Sequence, residues 1–276
     1  KGWAEVRHKG WEFKACSEAP ASSTANVEQL KDVLGLPKAA AVPEMIYGDN
    51  YLHISNQETG FEMWWSVEDA LKAWTTRRGT SLPGAAPQSA DKVFDDRDWT
   101  FTCPYDGSIS HDRAKLRDML RQARLIEAGG FGKALPTSAK IPLERLAKPD
   151  DIVFYSDVHL FDDELSDRGH ASLNIKIRVM PERFLVMMRN YVRLDHQYVR
   201  LWQWRYFHEF GSNEMLCDFE SREDTMDAVC RLARPMSASV SKPALQDERY
   251  AATADTVHDS LRPRDVRHTS IIVKIA

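Results

Sequence analysis

Residues 152–219 read IVFYSDVHLFDDELSDRGHASLNIKIRVMPERFLVMMRNYVRLDHQYVRLWQWRYFHEFGSNEMLCDF, and the fold is decided within them. Leu173, Ile175, Ile177 and Val179 alternate with Asn174, Lys176 and Arg178. That is the period-2 pattern of a strand with one buried and one wet face. After Pro181, Phe184-Leu185-Val186-Met187-Met188 is apolar on both faces and passes into the alternating run Arg189-Asn190-Tyr191-Val192-Arg193-Leu194. This predicts one long strand, central at its start and edge-like at its end. Asp195-His196-Gln197 is expected to close a hairpin into residues 198–210, and Gly211-Ser212-Asn213 a second into residues 215–219. The stretch reads as an antiparallel meander.

Outward from it, Trp11-Glu12-Phe13-Lys14 predicts a short strand, and Asn26 caps a helix whose Val27, Leu30 and Leu34 share one face. Residues 44–47, Gly48-Asp49-Asn50 and residues 51–54 read as strand, tight turn, strand. Residues 61–65 form another strand, and Ser66 with Asp69 is expected to cap the helix that carries Val67, Ala70, Leu71 and Trp74. Residues 77–98 are polar, rich in Gly, Pro, Ala and Ser, and aperiodic, which predicts a mobile loop. Residues 99–102 alternate as a strand, and Leu116, Met119, Leu120 and Ala123 mark a helix within an insertion at 110–135. Pro142 and Pro149 bracket a helix of one or two turns. Downstream, Ser221 is placed as the cap of a helix carrying Met226, Val229 and Cys230. Residues 234–263 read as weakly ordered, and residues 270–275 as a last strand. The expected class is α+β: one domain over residues 1–276, with a sandwich-like antiparallel sheet core and flanking helices.

With 276 residues the chain is long enough to bury a substantial core. A net charge of -4 and a pI near 6.2 supply no global attraction to nucleic acid or anionic lipid. No apolar run is long enough to span a bilayer as a helix, so neither nucleic acid nor membrane is an expected partner. Cys16, Cys103, Cys217 and Cys230 show no paired spacing, which points to a reduced, intracellular setting; the expected localisation is the cytoplasm, extended to the nucleus. The opening residues hold no apolar signal segment, but they start at Lys1 rather than Met and support no claim on targeting.

Within residues 157–170, DVHLFDDELSDRGH, the carboxylates and imidazoles suggest a divalent metal or an acid–base pair, hence a metal-dependent hydrolase as the alternative reading. The run lacks the ligand spacing of a calcium loop and ends in Asp-Arg-Gly, so a solvated turn is the better expectation, with no metal and no cofactor. Lys176, Arg178, Arg189, Arg193, Arg200 and Arg205 recur through the meander with Trp202, Trp204 and Tyr206. They are either the wet face of a sheet paired with nearby acids or, in part, a patch for an acidic partner. His53 and His208-Glu209 have no adjacent Ser or Cys nucleophile in a strained turn, and Gly129-Gly130-Phe131-Gly132-Lys133 lacks phosphate-loop spacing. No residue is assigned a catalytic role, and the chain is not read as an enzyme.

The segment FDDELSDRGHASLNIKIRVMPERFLVMMRNYVRLDHQYVRLWQWRYFHE, at 161–209, resembles the signature of the TIPRL family, the TIP-forty-one-like regulators of type 2A protein phosphatases in TOR signalling. AVPEMIYGDNYLHI, GFEMWWSVEDALKAW, RDWTFTCPYDGSI and DIVFYSDVHLF agree with it in order. The resemblance implies a single α+β domain that is not enzymatic and binds catalytic subunits of type 2A-like phosphatases. It also implies that the subunit's acidic C-terminal tail is held in a groove, and that the alpha-four/Tap-forty-two subunit is a further partner. On that basis the partner-binding surface is expected to comprise Asp49, Asn50, Asp69, Asp163, Glu164, Arg178, Met180, Arg205, Tyr206 and Glu209. A cleft of Arg178, Arg205 and Tyr206 would take a carboxylate terminus by bidentate hydrogen bonds and aromatic packing. Gln203-Trp204 stands where the family tends to carry an Asp-Thr pair, and residues 112–135 and the tail after Arg234 read as lineage-specific.

Overall fold

A computed structural model describes residues 2–20, 27–29, 31–32, 42–70, 107–110, 135–147, 149–165, 169–195, 197–233, 258 and 261–273. In chain order these form β1 (Trp3–His8), β2 (Trp11–Cys16), β3 (Met45–Ile46), β4 (Tyr51–Asn56), β5 (Phe61–Ser66), β6 (Ser108–Ser110) and β7 (Leu135–Pro136). Then follow the one-turn helix α1 (Leu143–Leu146), β8 (Phe154–Asp163), β9 (Gly169–Met180), β10 (Arg183–Leu194), β11 (Tyr198–Glu209), β12 (Glu214–Thr225), helix α2 (Met226–Ala233) and β13 (Pro263–Ile272). They make two antiparallel sheets, one ordered β1-β2-β4-β5-β6 and the other β3-β8-β9-β10-β11-β12-β13-β7.

The alternation read in the sequence sets the register of the larger sheet. Val179 lies opposite Phe184, Ile177 opposite Val186 and Ile175 opposite Met188, and these pairs continue into His208, Tyr206 and Trp204 of β11. Their side chains share one apolar core with Trp11, Phe13 and Ala15 of β2, Leu52 and Ile54 of β4, and Phe61, Met63 and Trp65 of β5. Phe184 is central to it. Its ring meets Trp11 edge-on at 5.1 Å and Phe13 at 5.2 Å, and Trp11 lies 4.8 Å from His208. Edge-to-face pairs of this kind add about 0.5–1.5 kcal/mol each to the burial of the rings.

Several sequence expectations are corrected. The structure is dominated by sheet, and its described helices are short, so helices flank the core only weakly. Residues 44–47 and 51–54 do not form a hairpin: β3 pairs with β8 in the large sheet, while β4 lies in the small one. The turn between them therefore carries the chain from one sheet to the other. The second half of β10 is not an edge, because it pairs with β9 and β11 along its whole length. Its polar–apolar alternation reflects two different buried faces. Ser221 is not a helix cap: β12 runs on to Thr225, whose Oγ1 accepts the Ala228 amide at 3.3 Å and caps α2. The last strand starts at Pro263 rather than 270, and β1 was not foreseen. Residues 77–98, 99–102 and the helix read around Leu116 lie outside the described residues, as does most of 110–135 and 234–263.

Phe184→Ala is expected to lower unfolding free energy by about 3–5 kcal/mol, the usual cost of deleting a fully buried aromatic ring. Urea denaturation of the purified variant checks it.

Candidate peptide-binding trough

Because β9, β10, β11 and β12 pair in continuous register, the odd and even positions of each strand fall on opposite faces of the sheet. The face turned from the core carries one row of Asn174, Arg189, Gln203 and Glu220. The next row holds Lys176, Met187, Arg205, Asp218 and His268.

Apolar covers bound these two rows on both sides. Toward the 180/183 turn, Met180, Phe207, Leu185 and Leu216 pack under Ile141 and Leu146, the latter from α1. Toward the 194/198 turn, Tyr191, Val199 and Leu201 pack under Met226 and Val229 of α2 and under Leu261. The polar rows form a trough crossing the strands from β9 to β13. Four strand spacings of about 4.8 Å give it a length of about 19 Å, enough for about six residues of extended peptide.

The charges of the trough are unevenly satisfied. Lys176 pairs with Asp157 at 3.2 Å and Asp218 with His268 at 2.7 Å. Arg222 binds Glu220 at 2.6 Å and donates Nη1 to the His258 and Leu261 carbonyls, fastening one cover to the sheet. Arg205 reaches Glu220 only at 3.6 Å, and burial pulls its pKa below the ordinary guanidinium value. Beside it Gln203, 2% exposed, accepts Arg189 Nε at 2.7 Å through Oε1, while its Nε2 has no partner among the described residues. A partly desolvated cation with one long ion pair suits an acceptor-rich ligand such as a carboxylate, whereas the Gln203 amide is buried and out of a ligand's reach in this conformation.

The residues singled out from sequence are dispersed by the fold. Arg205 lies on the trough floor. Arg178 lies at its margin, donating Nη2 to the Leu146 carbonyl at 2.7 Å, so it clamps α1 rather than facing the trough with both nitrogens free. Met180 is 1% exposed beneath that cover, and Glu209 pairs with Arg145 at 2.5 Å. Tyr206 is a correction: it follows Arg205 and so faces the core, 4% exposed and 5.6 Å from the Trp65 ring. Trp202 and Trp204 share that side, as does Arg200, which stacks on Tyr198 and Trp202 and pairs with Glu223. Arg193 pairs with Asp195 at 3.0 Å.

Asp49, Asn50, Asp163 and Glu164 gather near the β3–β8 edge, away from the trough floor. Asp49 and Glu164 are exposed, whereas Asn50 and Asp163 are buried and cannot touch a partner in this conformation. Asn50 donates to the His159 and Glu18 carbonyls and accepts the Glu18 amide. Asp163 accepts the Glu44 and Leu165 amides, and burial raises its pKa. Asp69 lies on the small sheet's side of the molecule, where its amide donates to Ser66 Oγ at 3.2 Å.

The acidic run is not the solvated turn it suggests, since β8 extends through Asp163. Asp162 faces outward and accepts the Tyr47 hydroxyl at 3.0 Å, while Asp163 faces inward. Strand alternation thus divides the neighbouring carboxylates, and among the described residues no three His, Cys, Asp or Glu side chains converge as metal ligands. The trough members missed from sequence, Met187, Gln203, Asp218 and Glu220, follow from counting parity outward from Arg205. Asp218 and Glu220 sit opposite Arg205 and Gln203 once β12 is known to run past residue 219.

Two antiparallel sheets thus enclose one core, and the outer face of the larger sheet carries a polar trough between two apolar covers. The profile of the TIP41-like family matches residues 45–230, and the chain belongs to that family. It is 31% identical to a human TIP41-like protein over 228 residues, covering 79% of this chain and 76% of the human one. It is 32% identical over 239 residues to the Saccharomyces cerevisiae type 2A phosphatase activator TIP41, covering 78% of this chain and 62% of the yeast protein. An Arabidopsis thaliana TIP41-like protein is 28% identical over 278 residues, or 95% of this chain and 92% of its own length.

Burial alone would raise the Glu220 pKa, but the Arg222 hydrogen bond and the charges of Arg222, His258 and Arg205 outweigh it and hold the carboxyl below its ordinary 4.5. A carboxylate depressed in the fold stabilises the protein above its unfolded pKa and loses that contribution as pH falls through the folded one. Stability is therefore expected to drop as pH falls below about 4.5, and Glu220→Gln to be less stable at neutral pH but to lose less on acidification. Denaturation midpoints between pH 7 and pH 3 check both.

Proposed function

We propose that this chain is a non-catalytic regulator that binds catalytic subunits of type 2A-like protein phosphatases and modulates their activity or assembly in TOR signalling. The observation that carries the reading is the trough floor of Arg205, Arg189 and Gln203 between two apolar covers. The subunit's acidic C-terminal tail lies across the strands, its carboxylate taken by Arg205. Arg178 contributes by holding α1 at the trough margin. The names of the yeast TIP41 protein and of a Schizosaccharomyces pombe relative, 26% identical over 218 residues and also called a type 2A phosphatase activator, support the choice of partner. Asp49 and Glu164 provide an exposed acidic contact outside the trough. The alpha-four/Tap-forty-two subunit is a further partner, and the complex works in the cytoplasm and the nucleus.

Capture of a purified type 2A-like catalytic subunit by the full chain tests the reading. Arg205→Glu is expected to weaken capture at least about tenfold, equivalent to about 1.4 kcal/mol, with Arg178→Glu having a smaller effect. Deleting the subunit's tail should weaken capture by the wild-type chain and leave little further effect of Arg205→Glu. No capture at micromolar concentration sinks the whole proposal; capture indifferent to both the tail and Arg205 sinks the trough assignment alone.

A further inference from the structure

Among the described residues, the small sheet has an open margin at β1. β1 pairs only with β2, and its six residues are longer than the other edge strands of the described structure, β3, β6 and β7. The hairpin register shows which of its backbone groups are free. Lys9 and Gly10 form a two-residue turn with φ of 50° and 81°, the paired positive values that a type I′ reversal requires. In such a hairpin the closing pair, His8 and Trp11, exchanges hydrogen bonds, and every second residue does the same. Gly2, Ala4, Val6 and His8 therefore point their amides and carbonyls at β2, in agreement with the Ser17 amide donating to the Gly2 carbonyl at 2.8 Å. Trp3, Glu5 and Arg7 present theirs outward, with no strand to receive them among the described residues.

Charged side chains on an edge strand usually guard it against pairing. Here their spacing does the reverse for one partner. Two copies of β1 brought edge to edge must match outward residues with outward residues, which leaves four central symmetric registers, and the one centred on Ala4 sets Trp3 against Glu5 and pairs no opposite charges. Pairing centred on Glu5 opposes two carboxylates, and pairing centred on Arg7 opposes two guanidinium groups. Centred on Val6, the register places Glu5 of each copy opposite Arg7 of the other, twice, about a two-fold axis. Arg7 remains 70% exposed at its side chain while bound to Glu12 at 2.7 Å, so it has donors to spare.

We propose that the chain self-associates through β1, two copies pairing antiparallel about Val6 and joining their small sheets into one. The contact is independent of the trough and of the phosphatase reading. A six-residue edge buries less than the roughly 1,000 Å² of a stable specific interface, so the dimer is weak and forms with rising concentration.

Sedimentation velocity of the full chain over a concentration series tests this. The wild type is expected to shift from monomer toward dimer. Glu5→Arg and Arg7→Glu, each opposing like charges, should each weaken self-association at least tenfold while leaving the melting temperature close to wild type. An equimolar mixture of the two variants should dimerise again, because each Arg then meets a Glu, and the double variant Glu5→Arg, Arg7→Glu should dimerise with itself. Glu5→Pro removes one outward amide without touching the β2 ladder, and it should abolish the dimer irrespective of charge. A wild type that stays monomeric throughout overturns the proposal, as does a dimer indifferent to Glu5→Arg and Glu5→Pro. Failure of the mixture to re-form a dimer from folded variants also overturns it.

Discussion

The edge-on packing of the Phe184 ring against Phe13, which joins the two sheets, is the constraint on which the other features depend. Phe184 is fully buried, and its ring meets Phe13 and Trp11 edge-on, so β10 cannot slip by one residue without expelling it into solvent. Fixing β10 fixes its neighbours through twelve paired positions on either side. The opposite face is then determined as well: Arg189 must share a row with Gln203, and Met187 with Arg205. The trough is thus a by-product of core packing, and its floor residues cannot move relative to one another without breaking the ladder.

Covering is the second physical condition. An outer sheet face normally stays wet along its whole length. Here α1 with Ile141 buries one end, and α2 with Leu261 the other. The polar rows between them are partly desolvated, and among the described residues neither cover extends over them. Arg205 has lost part of its water yet has only a long contact with Glu220, so part of the desolvation that pairing with a carboxylate would require is already complete in the folded chain. Arg222 differs although it is two residues from Glu220 on the same strand. Its two carbonyl contacts and its 2.6 Å ion pair consume its donors, which makes it a fastening of the cover.

Much of this was legible in sequence where alternation is strict. Leu173, Ile175, Ile177 and Val179 located the core side of β9, and the hairpin signals at 195–197 and 211–213 located the next two turns. Legibility failed where one strand serves two cores. The apolar run at 184–188 and the alternation at 189–194 looked like a centre passing into an edge, because sequence does not reveal that Tyr191 and Leu201 have their own cover in α2. It failed again at Tyr206. Hydrophobic and basic residues adjacent in a strand suggest one cleft, yet adjacency in a strand guarantees opposite faces. The acidic run was misjudged for a related reason: Asp163 is kept at the strand's end by the Glu44 and Leu165 amides, and neither partner is evident from composition.

The two ends of the molecule are joined by a short series of contacts at the 180/183 turn. His8 Nε2 lies 2.8 Å from the Pro181 carbonyl, and Lys9 pairs with Glu182 at 2.6 Å, so the β1–β2 hairpin is pinned to the β9–β10 turn. The preceding residue, Met180, is buried under the same cover whose Leu146 carbonyl receives Arg178. Sequence separation between Lys9 and Glu182 is large, and such a contact closes a long loop that only the assembled core can hold. The consequence is directional. The small sheet's free edge, the sheet-to-sheet junction and the margin of the trough are fixed with respect to one another, so a ligand lying in the trough would extend along a line set by the same strands whose inner faces bury Phe184.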